Sequence, residues 1–487
     1  MLDFAIKATE RFLMGMPKDD RKLYGQFFTN ADTAHFMSDL FSIADSAKRI
    51  EVLDPGAGSG LLSIAFIESI QKFSSISEVR LTCYETDKAV LPILRRNLRY
   101  AASKSKIPIR FQIRNNNYIT SQKLESSGCL ERYDYIIANP PYRKIASKSA
   151  EALVLPQVCY GTPNLYFLFL SMSILNLKDH GELVYIIPRS WTSGKFFIKF
   201  RRFLFDNVHI RRLHLFTSRE NLFQHDAILQ ETVILHARKS QDNNKVLIST
   251  SNGTADIGYR EPFKVSYDIL ANRSNNFVYI VSSRYENSIV KKIHRFKFNL
   301  ISIGLRMKTG ITVEFRERQH LANTNTNGGI PLFRACNIQD GRVVFPANAA
   351  NAFVEGSAER LRQPNQNYLF IKRFSSKEES NRLQCAIYLS AEFPNYLCIS
   401  TDNKINFIQG KKPLSRRLVY GLYVLFNSSY YNAYFRIFSG TTQVNSDEIN
   451  QIPVPSLSTI ERMGNMLIRR RSLSQSSCDE ILSQFFE

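Results

Sequence analysis

The sequence predicts an α/β protein: a doubly wound, mostly parallel sheet, then a smaller β-rich domain and C-terminal helices. Three observations carry this expectation. Short apolar strands alternate with helical segments over the first 240 residues; two of those strands run directly into Gly-rich or Pro-rich turns; and beyond about residue 240 the segments become short, polar and turn-rich.

The elements follow in order. Arg49-Ile-Glu-Val-Leu53 reads as a strand, closed by a Gly-rich turn and followed by an apolar helix from Leu61 to about Lys72. Val79 to Tyr84 is the second strand and Lys88 to Tyr100 its helix. Ile107 to Ile113 and Tyr133 to Ala138 are the third and fourth strands, the latter ending in Asn139-Pro-Pro-Tyr142. Asn164 to Leu177 is an apolar helix, Glu182 to Ile187 a fifth strand, and Ile228 to His236 a further one. In such sheets ligands sit beyond the carboxyl ends of the strands, so Asp54 to Gly60 and Asn139 to Tyr142 should face one cleft. Turn signals such as Asn327-Gly-Gly329 and Asp340-Gly341 mark the β-rich part, and Leu414 to Phe438 and Ser458 to Phe486 are helical. The division is expected at 295/296.

Composition excludes several classes. With 44% hydrophobic and 22% charged residues, the 487-residue chain is globular. No run of 18 apolar residues exists to span a membrane, and Met1 to Asp20 lacks a secretory signal. Seven scattered cysteines form no C-x-x-C pair and no zinc spacing, as in a reduced, cytoplasmic protein that needs no metal. Lys and Arg outnumber Asp and Glu 64 to 43, a formal charge of +21, which calls for a polyanionic partner. The densest stretch, Arg189 to Arg219, carries eight basic residues and one acid, and suits either a solvated helix face or a phosphate-contacting surface.

The chemistry concentrates at the two turns. In Asp54-Pro-Gly-Ala-Gly-Ser-Gly60, glycines let the backbone approach a ligand and Asp54 can accept a hydrogen bond from it. Glu85 or Asp87, at the tip of the second strand, can hold ribose hydroxyls, so the two features together favour a nucleoside. An aromatic exocyclic amine is a poor nucleophile because its lone pair is delocalised into the ring. A site that alkylates it must accept hydrogen bonds from its N–H groups. The Asn139 side-chain oxygen and the Pro140 carbonyl can do so, Pro140 and Pro141 stiffen the turn, and Tyr142 offers a face to the base. A target in duplex DNA must first be flipped out.

Tyr24-Gly-Gln-Phe-Phe-Thr29, then Asp54 to Gly60, then Asn139 to Tyr142, is the motif order of γ-class DNA adenine-N6 methyltransferases. The chain most resembles their PstI/BsuBI-type modification methylases, relatives of the TaqI enzyme. Ile371 to Glu379 and Tyr434 to Asn445 extend the resemblance to the C-terminal half. It implies a Rossmann-like methyltransferase domain over 1–295 and a DNA target-recognition domain over 296–487. It also implies S-adenosyl-L-methionine as cofactor, with Thr29 at its carboxylate, Asp54, Gly56 and Gly58 along its methionine and ribose, and Glu85 on the ribose. Asn139 and Pro140 would hold the target amine, and Tyr142 and Phe223 would stack on the flipped adenine. The family usually has an Asp after the third strand, facing the cofactor adenine amine; here Asn117 fills the place, and its amide oxygen is expected to accept that bond.

The expected partner is double-stranded DNA. Arg306, Lys308, Arg316, Arg318, Lys372 and Arg373 supply cations, and Gln443 and Asn445 amides, for phosphates or base edges. Only about 20 residues precede the first motif, so a stand-alone methylase with a separately encoded restriction endonuclease is expected. RNA or protein-glutamine methylation, and a DNA-binding specificity subunit without catalysis, are the rival readings.

Overall fold

In the computed structural model the strand-forming runs of the N-terminal half close into one sheet. The structure describes all residues except 16–28, 123–129, 217–230, 241–244, 260, 273–274, 326–327, 347–348, 376–378 and 487. The chain folds into two compact units, Met1–Ser282 and Ser283–Glu487.

In the first unit, β1 (Arg49–Asp54), β2 (Glu78–Tyr84), β3 (Ile109–Arg114), β4 (Tyr133–Ala138) and β5 (Leu177–Pro188) lie parallel in the order β3-β2-β1-β4-β5. The sheet then changes character. β7 (Thr232–Arg238) runs antiparallel to β5 and to β6 (His209–Phe216), and β8 (Lys245–Ser251) and β9 (Phe263–Ser266) extend it to nine strands. The expectation of a mostly parallel sheet therefore holds for the half that carries the motifs.

Alternation along the strands shows why helices cover both faces. Val184 and Ile186 of β5 join Val52, Leu81 and Ile137 in one apolar cluster with α1 (Leu2–Met14), α2 (Ala31–Asp39), α3 (Leu61–Ser69) and α4 (Leu91–Lys104). Tyr185, one residue out of phase, points the other way. It bonds Ser173 of α6 (Leu165–Leu175), which follows the short α5 (Ala150–Val154). Helix α6 has no polar face because it is buried all round, from Leu165 to Ile174. Asn164 caps its first turn through Tyr166 N–H.

The second unit begins earlier than residue 296. Helix α7 (Arg284–Ile293) belongs to it, its exit held by His294 Nε2 on the Tyr434 hydroxyl at 2.9 Å. Hydrophobic spacing in Tyr285 to Ile293 gives no cue to which body receives its apolar stripe. Phe333, Tyr368, Phe370, Tyr388 and Phe407 form the core of this β-rich unit, built on a six-stranded and a five-stranded sheet. The two expected C-terminal helical stretches each break in two. Arg416–Asn427 and Leu457–Arg470 cross so closely that a Cβ on Gly421 would lie 1.9 Å from the Ile460 carbonyl oxygen, so only glycine fits. Among the described residues, no helix is long and apolar enough to cross a membrane.

Candidate active site

The carboxyl ends of β1, β2, β3 and β4 open on one cleft of about 260 Å³, lined by Thr29, Gly56 to Ser59, Glu85 to Asp87, Asn116 to Tyr118, Asn139, Pro141, Arg143, Glu151, Leu165 and Phe169. The turn after β1 needs glycine: Gly58 and Gly60 have φ of 53° and 87°, and a Cβ on Gly60 would approach Leu94 Cδ1 to 2.9 Å. Asp54 is not part of the cleft lining. It lies fully buried beneath the turn, where Oδ2 accepts from the Ser63 hydroxyl at 2.7 Å and, among the described residues, Oδ1 has no side-chain hydrogen-bond donor. Burial pushes its carboxyl up to about 7, against the lowering pull of Ser63.

Glu85 faces the turn from the end of β2. Its Oε2 accepts from Gly58 N–H at 2.9 Å and its Oε1 from Asp87 N–H at 2.8 Å, while burial raises its pKa. The same carboxylate thus holds the turn's shape and borders the cleft. Asp87 caps the following turn through Ala89 N–H.

Asn139, at the end of β4, has a fixed amide. Its Nδ2 donates to Thr29 Oγ1 at 3.2 Å, and the Tyr142 hydroxyl reaches its Oδ1 at 3.0 Å and the Ile186 carbonyl oxygen at 2.9 Å. Thr29 and Asn139, 110 residues apart in sequence, are therefore direct partners. The Tyr142 ring meets Tyr166 edge-on at 6.3 Å, and Pro140 is buried. Phe223 lies outside the described residues, as does the first motif apart from Thr29.

One expectation fails. The Asn117 oxygen does not present a free acceptor to the cleft: it takes the N–H groups of Ile119 and Thr120, at 3.0 and 3.2 Å, closing the turn after β3. Its Nδ2 instead donates to Glu151 Oε1 at 2.9 Å. Asn readily caps its own turn in this way. Glu151 is a cleft residue that sequence reading missed; it sits in a short helix with no motif around it. Phe169, 3.6 Å from where a Gly56 Cβ would be, was likewise read only as part of an apolar helix.

The cations and amides expected to read DNA are dispersed over the second unit. Arg306 and Lys308 stand exposed on the edge strand Leu305–Thr309, alternating with buried Leu305 and Met307. Arg316 covers the Phe315 ring, and Arg318 is exposed nearby. Lys372 is half-buried. Arg373 donates to the Asn403 carbonyl oxygen at 3.0 Å and to Gln443 Oε1 at 3.3 Å, so these two predicted readers hold each other. Asn445 Nδ2 reaches Thr441 Oγ1 at 3.5 Å.

Residues 66–223 match the family model described as Eco57I restriction-modification methylase. Over 95% of its length the chain is 31% identical to the type II methyltransferase M.PstI of Providencia stuartii, covering 93% of that protein. It is 32% identical to M.BsuBI of Bacillus subtilis, over 94% of this chain and 93% of the other. Among solved structures, the type IIL restriction-modification enzyme MmeI in complex with DNA shares the fold at a TM-score of 0.54 and 12% identity, over all of this chain and 74% of that one. The DrdV–DNA complex does so at 0.53 and 13%, over 93% and 58%.

Proposed function

The chain belongs to the PstI/BsuBI-type modification methylases, type II DNA methyltransferases of restriction-modification systems, and from that premise we propose that it transfers a methyl group from S-adenosylmethionine to adenine N6 at a specific site in duplex DNA. The observation that carries this reading is the fixed Asn139 amide at the edge of a nucleoside-sized cleft.

The donor set of the cleft suits that cofactor: turn backbone bare of side chains at Gly56 and Gly58, the Glu85 carboxylate for ribose hydroxyls, and the Thr29 hydroxyl, which has accepted one bond and keeps its own proton for a carboxylate. Asp54 acts from below, shaping the turn through Ser63. When bound, the cofactor supplies an electrophilic methyl group. The chain's work is positioning. With Nδ2 tied to Thr29, Asn139 turns its oxygen to the amine and draws the nitrogen toward tetrahedral geometry together with the Pro140 carbonyl. The Tyr142 hydroxyl can keep its proton on the Ile186 carbonyl, leaving Asn139 Oδ1 to the amine, while its ring offers a face to the base.

The second unit is proposed as the DNA reader, with Arg306, Lys308, Arg316 and Arg318 toward phosphates, and a separately encoded endonuclease as the functional counterpart. Incubating the protein with methyl-labelled cofactor and duplex DNA, RNA or protein tests the reading: label is expected in DNA alone, and label only in RNA or protein, or none at all, would replace it with one of the rivals.

A further inference from the structure

Two polar side chains meet at the end of the cleft formed after β3. Asn117 has committed its oxygen to two backbone N–H groups and its nitrogen to Glu151. It has no acceptor left to offer. Among the described residues Glu151 accepts one hydrogen bond, on Oε1, and none on Oε2, and it lines the cleft. The carboxylate is therefore the acceptor at this end, and Asn117 is what aims it.

We propose that Glu151 reads the 6-amino group of the cofactor's purine, with Asn117 as the positioning residue that orients its carboxylate. This rests on the cofactor assigned above. An exocyclic amine offers protons and a carboxylate offers only lone pairs, so the pairing is complementary. A 6-oxo purine places an oxygen in the same spot and meets the carboxylate's charge. The site should therefore discriminate by the 6-substituent, not merely by the ring.

That property separates recognition from support. Glu151 lies in the first turn of α5, and a purely structural role would weaken every cofactor analogue alike. The probes are S-adenosylhomocysteine and its inosine counterpart, bound to the full chain and measured by calorimetry. The native protein is expected to prefer the adenosine form by about tenfold or more, the size expected of a charge-assisted hydrogen bond. In Glu151→Gln, an amide nitrogen replaces one acceptor, and the preference is expected to vanish or invert while the inosine form keeps its affinity. An adenosine preference unchanged in Glu151→Gln would overturn the proposal.

A second variant keeps the test decisive if the first is unstable. Asn117→Asp removes the bond to Glu151 and sets two carboxylates side by side, so S-adenosylhomocysteine binding is expected to weaken about fivefold or more. A tighter complex would overturn the proposal, since the new Asp would then be the better acceptor. A native protein that binds neither probe refutes the cofactor reading itself, a different result from either variant's.

Discussion

The cleft of the first unit and the cations of the second differ in what fixes their residues. Asp54, Glu85 and Asn139 sit where parallel strands end, so the sheet brings them together whatever lies between them in sequence. Arg306, Arg316 and Arg373 were singled out as cations on loops and strand ends of a β-rich segment. The fold puts them on an edge strand, over an exposed ring and inside a local hydrogen-bond cluster. A motif bound to a strand end foretells a place; a basic residue in a β-rich segment foretells only a charge.

The comparison breaks if the cleft tolerates loss of its amide. Asn139→Ala removes the proposed acceptor for the amine and is expected to lower the methylation rate at least about 10²-fold, with DNA affinity retained. Single-turnover rates at saturating cofactor check this; a rate within a few-fold of native would move the chemistry elsewhere.

Burial of Asp54 gives the cleft a pH signature that the exposed cations lack. Its folded-state value, about 7, lies above its ordinary 3.8, so ionisation costs stability in the folded protein. The unliganded protein should be unpenalised by this group at low pH and lose stability as pH rises from 3.8 through about 7, by roughly 1–4 kcal/mol. Asp54→Asn keeps an oxygen for Ser63 but cannot ionise, so its melting temperature is expected to fall less than that of the native protein between pH 5 and pH 8. Parallel melting curves would place the pH dependence in other groups.

Gly60→Ala sharpens the same contrast through the backbone. A left-handed φ and an approach to buried Leu94 should together cost about 1–3 kcal/mol, read as a lower denaturant midpoint. The smallest effect belongs to the second unit. Lys308→Ala is expected to lower the salt slope of DNA binding by about one and to leave site preference unchanged. Arg373→Ala also releases Gln443 and Asn403, so it should disturb the local fold before it disturbs recognition.

These contrasts explain what could be read in advance. The strands of the parallel half, the Gly turn and the Asn-Pro-Pro-Tyr loop were legible because periodicity and turn chemistry are local. The antiparallel placement of β7 between β5 and β6 was not, since strand direction depends on the connection. The start of the second unit was misplaced because an amphipathic helix such as Arg284–Ile293 does not declare which core it serves. At the site, Asn117 was found but its role was misread. Nothing in the residues around it shows that its oxygen closes its own turn or that Glu151 stands beside it.

The most direct test of the central claim is the identity of the methylated nucleoside. Duplex DNA incubated with the native protein and S-adenosylmethionine, then digested and separated by mass spectrometry, should yield N6-methyladenosine as its deoxynucleoside, and Asn139→Ala should yield none. Methylcytosine in its place, or unmodified DNA beside an intact and cofactor-bound protein, would contradict the assignment of Asn139 to an adenine amine.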